Sequence, residues 1–220
     1  MSEIPLEHVH IEPEASSDGP APAVFVLHGR GANEQDLLPI ARELPESHHI
    51  ISLRAPDRLQ GGYTWYDLDL SAGGLHQSQP DPADFDRSRG LVDDSVAAAI
   101  DAYELDPDRL GLLGFSQGAI TSLSLLLDSP DDYQWVVALH GYLPESHRDL
   151  DPEGIVDKPV FVAAGSADEI IPEARSQAAA ERFEELGAAV SYTVYDAPHG
   201  VSPEELADLV EFVERQVSSP

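Results

Sequence analysis

The sequence predicts one α/β domain over residues 1–220, with a mainly parallel sheet and helices on both faces. Three observations lead there. Short unbroken apolar runs such as "AVFVLHG" (23–29), "WVVALHG" (135–141) and "KPVFVAAGS" (158–166) read as strands buried on both faces. Amphipathic segments with helical spacing separate them, as parallel strands require. The chain has 220 residues, 42% of them hydrophobic, which suits one sizeable core. No internal repeat is visible.

In chain order, "EHVHI" (7–11) alternates and reads as an edge strand, and "PEASSDGPAP" (13–22) as a turn between strands. After strand 23–29 a helix is expected from Asn33, with Leu37, Ile40, Ala41 and Leu44 on one face. "HIISLRAP" (49–56) is another buried strand. Residues 57–84 are irregular and rich in glycine and aromatics. A helix over 86–104 carries Leu91, Val92, Val96, Ile100 and Tyr103 inward. A strand at 109–113 leads through Ser116 into a helix ending near Leu127. Beyond strands 135–141 and 158–166, Pro172 opens a helix that Gly187 stops. Strand 189–196 follows. Ser202-Pro203-Glu204-Glu205 then combines an N-cap, a first-turn proline and a capping-box glutamate. The last helix shows Leu206, Leu209, Val210, Val213 and Val217 on one face.

Charge excludes several partners. Forty-one acidic against twelve basic residues give −29, and only Lys158 is a lysine. Nucleic acid and anionic membranes would be repelled. The acids are spread along the chain, which favours a surface suited to high salt, where repulsion is screened within about 3 Å at ~1 M. A halophilic source is therefore expected. No apolar run is long enough for a membrane span. The absence of cysteine removes disulfides and thiol nucleophiles, and "MSEIPLEHVH" does not read as a signal peptide. A cytoplasmic protein is expected. His8 and His10 share a strand face without a third ligand, and Asp67-x-Asp69 is ordinary in so acidic a chain, so no metal site is expected.

Function is written in "LGLLGFSQGAI" (110–120), where Ser116 sits between Gly114 and Gly118. A serine on a sharp strand-to-helix turn exposes its hydroxyl, and small neighbours let strand and helix approach. Chance alone would give G-x-S-x-G roughly 0.1 times in such a chain, so context decides. A serine needs an oriented base and donors for an oxyanion. His199, in "YDAPHG" past the last strand, is the expected base. His147, in a polar loop, should face water. His140 ends its own strand beside the site but has no acid-bearing strand before it. Asp168, past strand 158–166, is the expected acid, with Glu169 as fallback and Asp196 as the less favoured neighbour of His199. The N–H of Gln117, at a helix N-terminus, and that of Arg30, in "LHGRGANEQD", are the expected oxyanion donors.

Taken together, "LHGRGANEQDLLP", "GGYTWYDL", "GFSQGA", "GYLP", "GSADEIIP" and "APHGVSPEEL" resemble the phospholipase/carboxylesterase family of α/β-hydrolases, relatives of the acyl-protein thioesterases. The pieces run from residue 27 to 206 in the family's order. The resemblance implies an α/β-hydrolase fold, Ser116, Asp168 and His199 as triad, and Arg30 and Gln117 as oxyanion donors. It implies a serine carboxylesterase working through an acyl-enzyme, with no cofactor. A thioesterase or lysophospholipase with the same triad is the alternative, and a silent binding protein is a third reading. Dienelactone hydrolases resemble this family but carry a cysteine nucleophile, which this cysteine-free chain lacks. His140 departs from the family, where a small residue is usual, and could alter substrate range or pH profile. Residues 57–84 are too few for a large helical lid. Trp65 and Tyr66 are expected to wall the entrance, or else to pin the loop to the core. Tyr142, Leu143, Ile170 and Val201 would complete a groove for small to medium acyl esters. The Arg30 side chain could attract an anionic head group. A homodimer stays open.

Overall fold

The computed structural model describes residues 3–14 and 19–217. The middle of the expected turn at 13–22, residues 15–18, lies outside the described residues. The first half of the chain forms β1 (His8–Ile11), β2 (Ala21–Leu27), α1 (Leu38–Ala41), β3 (His49–Leu53) and four short strands. The short strands are β4 (Asp57–Leu59), β5 (Gly62–Thr64), β6 (Leu68–Asp69) and β7 (Gln79–Pro80). Then come α2 (Pro82–Tyr103), β8 (Leu105–Phe115), α3 (Gln117–Asp128), β9 (Trp135–Leu139) and α4 (Glu145–Arg148). The chain closes with β10 (Pro159–Gly165), α5 (Glu173–Glu185), β11 (Ala189–Tyr195) and α6 (Pro203–Val217).

One seven-stranded sheet has the order β1-β3-β2-β8-β9-β10-β11. Only β1 runs antiparallel, against β3; every other neighbouring pair is parallel. Strand alternation splits the core into two layers. Ala23, Phe25 and Leu27 of β2 pack with Val92 of α2, Leu123 of α3 and Phe183 of α5. Val24 and Val26 face the other way, toward Leu38 and Ala41 of α1 and Leu209, Phe212 and Val213 of α6. Helices thus cover both faces. From β2 the chain passes outward to β3, which fills the place between β2 and the edge strand β1, then returns to β8 on the other side of β2. That reversal opens a crevice at the C-terminal ends of β2 and β8, where such sheets place their sites.

Four expectations change in the structure. The helix expected from Asn33 is a single turn, α1. Asn33 Oδ1 accepts from the Gln35 N–H at 2.9 Å, closing a local turn, and Pro39 cannot donate into an earlier helical turn. The helix expected from residue 86 begins at Pro82 instead. The Asp81 carboxylate accepts from the N–H groups of Ala83 and Asp84 and so caps it. The strand expected over 109–113 extends from Leu105 to Phe115, with an irregular register between Ala21 and Ala23. The irregular stretch 57–84 holds two small antiparallel ribbons, β4-β5 and β6-β7, and no helical lid. The capping box holds: the Glu205 N–H donates to Ser202 Oγ at 3.1 Å, and the Ser202 N–H to Glu205 Oε2 at 3.4 Å.

Candidate active site

The turn from β8 into α3 is as sharp as the glycine spacing requires. Ser116 has φ 55° and ψ −116°, a conformation rare for any residue with a side chain. A Cβ on Gly118 would sit 1.9 Å from the Leu27 carbonyl oxygen, and one on Gly114 2.3 Å from that of Gly118. Neither position admits a side chain, so strand and helix can close on each other. The Ser116 N–H donates to Leu139 O at 2.9 Å, which ties the turn to β9.

From the Ser116 hydroxyl a chain of hydrogen bonds runs inward. His199 Nε2 lies 3.0 Å from Ser116 Oγ, and His199 Nδ1 lies 2.6 Å from Asp168 Oδ2. Carboxylates only accept, so Nδ1 carries the proton and Nε2 is left to accept from the hydroxyl. The Asp168 side chain is 1% exposed and that of His199 18%. Burial alone would raise Asp168. The bonds from His199, the Ile171 N–H, His140 and the Ile170 N–H outweigh it and hold the carboxyl below its usual range. Glu169 and Asp196 are both exposed, and Asp196 accepts from Ser166 Oγ at 3.5 Å. His147 does not face water. It is buried, its Nε2 lies 3.4 Å from Asp128 Oδ2, and its ring meets Phe85, because α4 folds it back against α2 and α3.

The loop after β2 lies beside this chain. His28 is fully buried, and its Nδ1–H donates to Gly29 O at 2.7 Å. His28 Nε2 accepts from the Ala55 N–H at 3.1 Å, which fixes a neutral ring; burial lowers its pKa in keeping. The Gly31 N–H donates to Tyr63 O and the Tyr63 N–H to Ala32 O, at 2.7 and 2.8 Å. From the other side the Gln117 side chain clips the same segment. Its Oε1 accepts from Thr64 Oγ1 at 2.9 Å and from the Trp65 N–H at 3.2 Å, while Nε2 donates to Tyr66 O at 2.9 Å. The backbone N–H groups of Arg30 and Gln117 have no acceptor among the described residues. Both residues border the same cavity.

That cavity, about 270 Å³, has Ser116 and His199 in its lining. Tyr142 and Ile170 border it as expected. Trp65 and Tyr66 do not: both are fully buried, so they follow the second reading and pin the loop. The Trp65 indole N–H donates to His28 O at 2.8 Å, and Tyr66 meets Phe85 edge-on. Leu143 borders a separate surface hollow, and Val201 packs under α6. Leu68, Leu75, Ile120 and Ile171 line the cavity without having been anticipated. Ile120 was legible, one helical turn after Ser116; the two leucines depend on how the 57–84 segment folds.

His140 does not line the cavity. It is fully buried behind Asp168, with Nδ1 2.9 Å from Asp168 Oδ2 and Nε2 3.3 Å from Glu205 Oε2. Among the described residues, only His140, Asp168 and His199 bring three metal-type ligand atoms within 4.8 Å of one another. Asp168 Oδ2 is already hydrogen-bonded to both rings there.

Comparison with known proteins agrees with this architecture. The family described as Phospholipase/Carboxylesterase matches residues 8–217. The protein MhqD of Bacillus subtilis (strain 168) is 26% identical over 196 residues, 89% of this chain and 92% of its own. Acyl-protein thioesterase 1 of Debaryomyces hansenii is 29% identical over 166 residues, 72% of this chain and 71% of its own. The crystal structure of the Bacillus cereus carboxylesterase superposes with a TM-score of 0.84 at 25% identity, covering 96% of this chain and 94% of that one.

Proposed function

The chain belongs to the phospholipase/carboxylesterase family and has the α/β-hydrolase fold; from that premise we propose that it is a serine carboxylesterase acting on small to medium acyl esters. The observation that carries this reading is the relay Ser116–His199–Asp168 opening on an apolar cavity. Ser116 Oγ attacks the acyl carbonyl carbon as His199 Nε2 takes its proton. Asp168 holds the Nδ1 proton and stabilises the imidazolium. The N–H groups of Arg30 and Gln117 receive the developing oxyanion, and the dipole of α3 assists them. Collapse of the tetrahedral adduct transfers the His199 proton to the leaving alkoxide and leaves an acyl-serine. Water, deprotonated by the same imidazole, then releases the acid and restores Ser116.

The acyl chain would lie against Leu68, Leu75, Ile120, Ile170 and Ile171. A cavity of about 270 Å³ lies just below the usual range for small-molecule sites, which supports short and medium chains over long ones. Acyl-protein thioester or lysophospholipid hydrolysis by the same relay is the second reading, supported by relatives named acyl-protein thioesterases.

The deciding experiment is hydrolysis of p-nitrophenyl esters from acetate to laurate in ~1 M KCl, comparing the wild type with Ser116→Ala. Activity with a chain-length optimum, lost in the variant, supports the reading. Activity that survives Ser116→Ala refutes it. Should the native protein hydrolyse none of the series, fluorophosphonate labelling of Ser116 would point to a thioester or lipid substrate, and no labelling to a binding role.

A further inference from the structure

His140 follows β9 with a left-handed backbone, φ 52°, which a residue with a side chain adopts only at a cost. Its N–H donates to Ala163 O at 2.9 Å, so the strain is locked in and the ring is turned inward. Each ring nitrogen faces a carboxylate, Asp168 at 2.9 Å and Glu205 at 3.3 Å. A neutral imidazole offers one donor and one lone pair, and a lone pair aimed at a carboxylate oxygen is repelled. Glu205 poses the complementary problem. It is fully buried at the start of α6, and its Oε1 has no partner among the described residues. Its Oε2 faces the Ser202 N–H and His140. A helix N-terminus favours negative charge, and a buried charge demands an opposite one.

We propose that His140 is a positioning residue: a buried imidazolium that bridges Asp168 and Glu205, extends the relay to Ser116–His199–Asp168–His140–Glu205, and governs how strongly Asp168 binds the His199 ring. The proposal rests on the serine-hydrolase reading above. Three ionisable groups face the ring: Asp168 after β10, Glu205 on α6 and His199 after β11, whose ring centroid is 5.5 Å away. The Phe115 ring closes the β8 side at 5.6 Å. Gly165 of β10 leaves the remaining room, since a Cβ there would come within 3.0 Å of the His140 ring. Burial alone would lower the His140 pKa, but Glu205 and Asp168 outweigh it and raise it. With His140 charged, Asp168 divides its negative charge between two imidazole donors. Its hold on a His199 proton weakens, and one cationic ring repels a second.

Two variants test this. His140→Asn tolerates the left-handed backbone and can still donate to Asp168, but carries no charge. Glu205→Gln keeps a capping-box side chain and removes the charge that holds the His140 proton. In each, the acid limb of kcat/KM for the Ser116-dependent hydrolysis should move up by about one pH unit. A limb that stays put in both variants while hydrolysis persists overturns the proposal and leaves the hydrolase reading intact. Nitrogen NMR of the whole protein reads the pair without any activity. Two ring N–H protons on His140 at about pH 8, well above the ordinary histidine pKa of about 6.5, are expected. A single ring proton at that pH overturns the proposal, whatever Ser116 does.

Discussion

Acid should destabilise this protein through histidines remote from the relay, and His48 makes the effect measurable one proton at a time. His48 is 4% exposed, its ring meets Trp135 edge-on, and its Nδ1 lies 3.3 Å from Ser47 Oγ. Burial lowers its pKa to about 4. An unfolded chain would take up that proton at about 6.5. The folded pKa is the lower one, so the unfolded state binds more protons between those values, and stability is complete above about 6.5 and lost as pH falls toward 4. At pH 5 the loss from one such group is about 2 kcal/mol, against about 0.2 kcal/mol at pH 7. That compares with a total of about 5–15 kcal/mol for a typical domain. His147, also lowered to about 4 by burial, adds a similar amount; the Asp128 beside it is ion-paired with Arg89. Asp93, raised by burial, opposes them, and His140, raised in the folded protein, adds no loss on acidification. Urea unfolding of the wild type and His48→Gln at pH 7 and pH 5, in ~1 M KCl, isolates the one group. The stability gap between the two should shift by about 2 kcal/mol in favour of the variant on going to pH 5. Parallel pH curves for the two proteins would refute the reasoning.

Three further outcomes follow from the same structure. Gly118→Ala must push a methyl group into the Leu27 carbonyl, and it should cost about 3 kcal/mol in thermal unfolding. Gln117→Ala removes the clip on Thr64, Trp65 and Tyr66, leaving buried polar groups unpaired. A loss of about 2–3 kcal/mol is expected, with slower ester hydrolysis because the cavity wall loosens; an unchanged melting temperature would count against the clip. A net charge of −29 should make folding salt-dependent, so melting curves should rise steadily from ~10 mM to ~1 M KCl as the Debye length falls from about 30 to about 3 Å. Full stability at ~10 mM would remove the case for a high-salt protein.

The candidate site was largely local in the sequence, and for that reason legible. Gly114-x-Ser116-x-Gly118 needs its glycines because Leu27 and Gly118 carbonyls crowd the turn. Ser202 and Glu205 satisfy each other within one turn, and unbroken apolar runs mark strands buried on both faces. The order serine, aspartate, histidine along successive strand ends then left few candidates for the relay. Tertiary contact decided the rest. Nothing near Trp65 or Tyr66 in sequence tells that Gln117, 52 and 51 residues away, fixes the segment and turns both rings into the core. His147 lies among polar neighbours, yet α4 buries it. Local polarity describes a residue's neighbours in sequence, whereas burial depends on which helix later covers it. His140 is the plainest case. Its sequence neighbours are apolar and its chemistry comes from two carboxylates, 28 and 65 residues away, that only the sheet and α6 bring to either side of one ring.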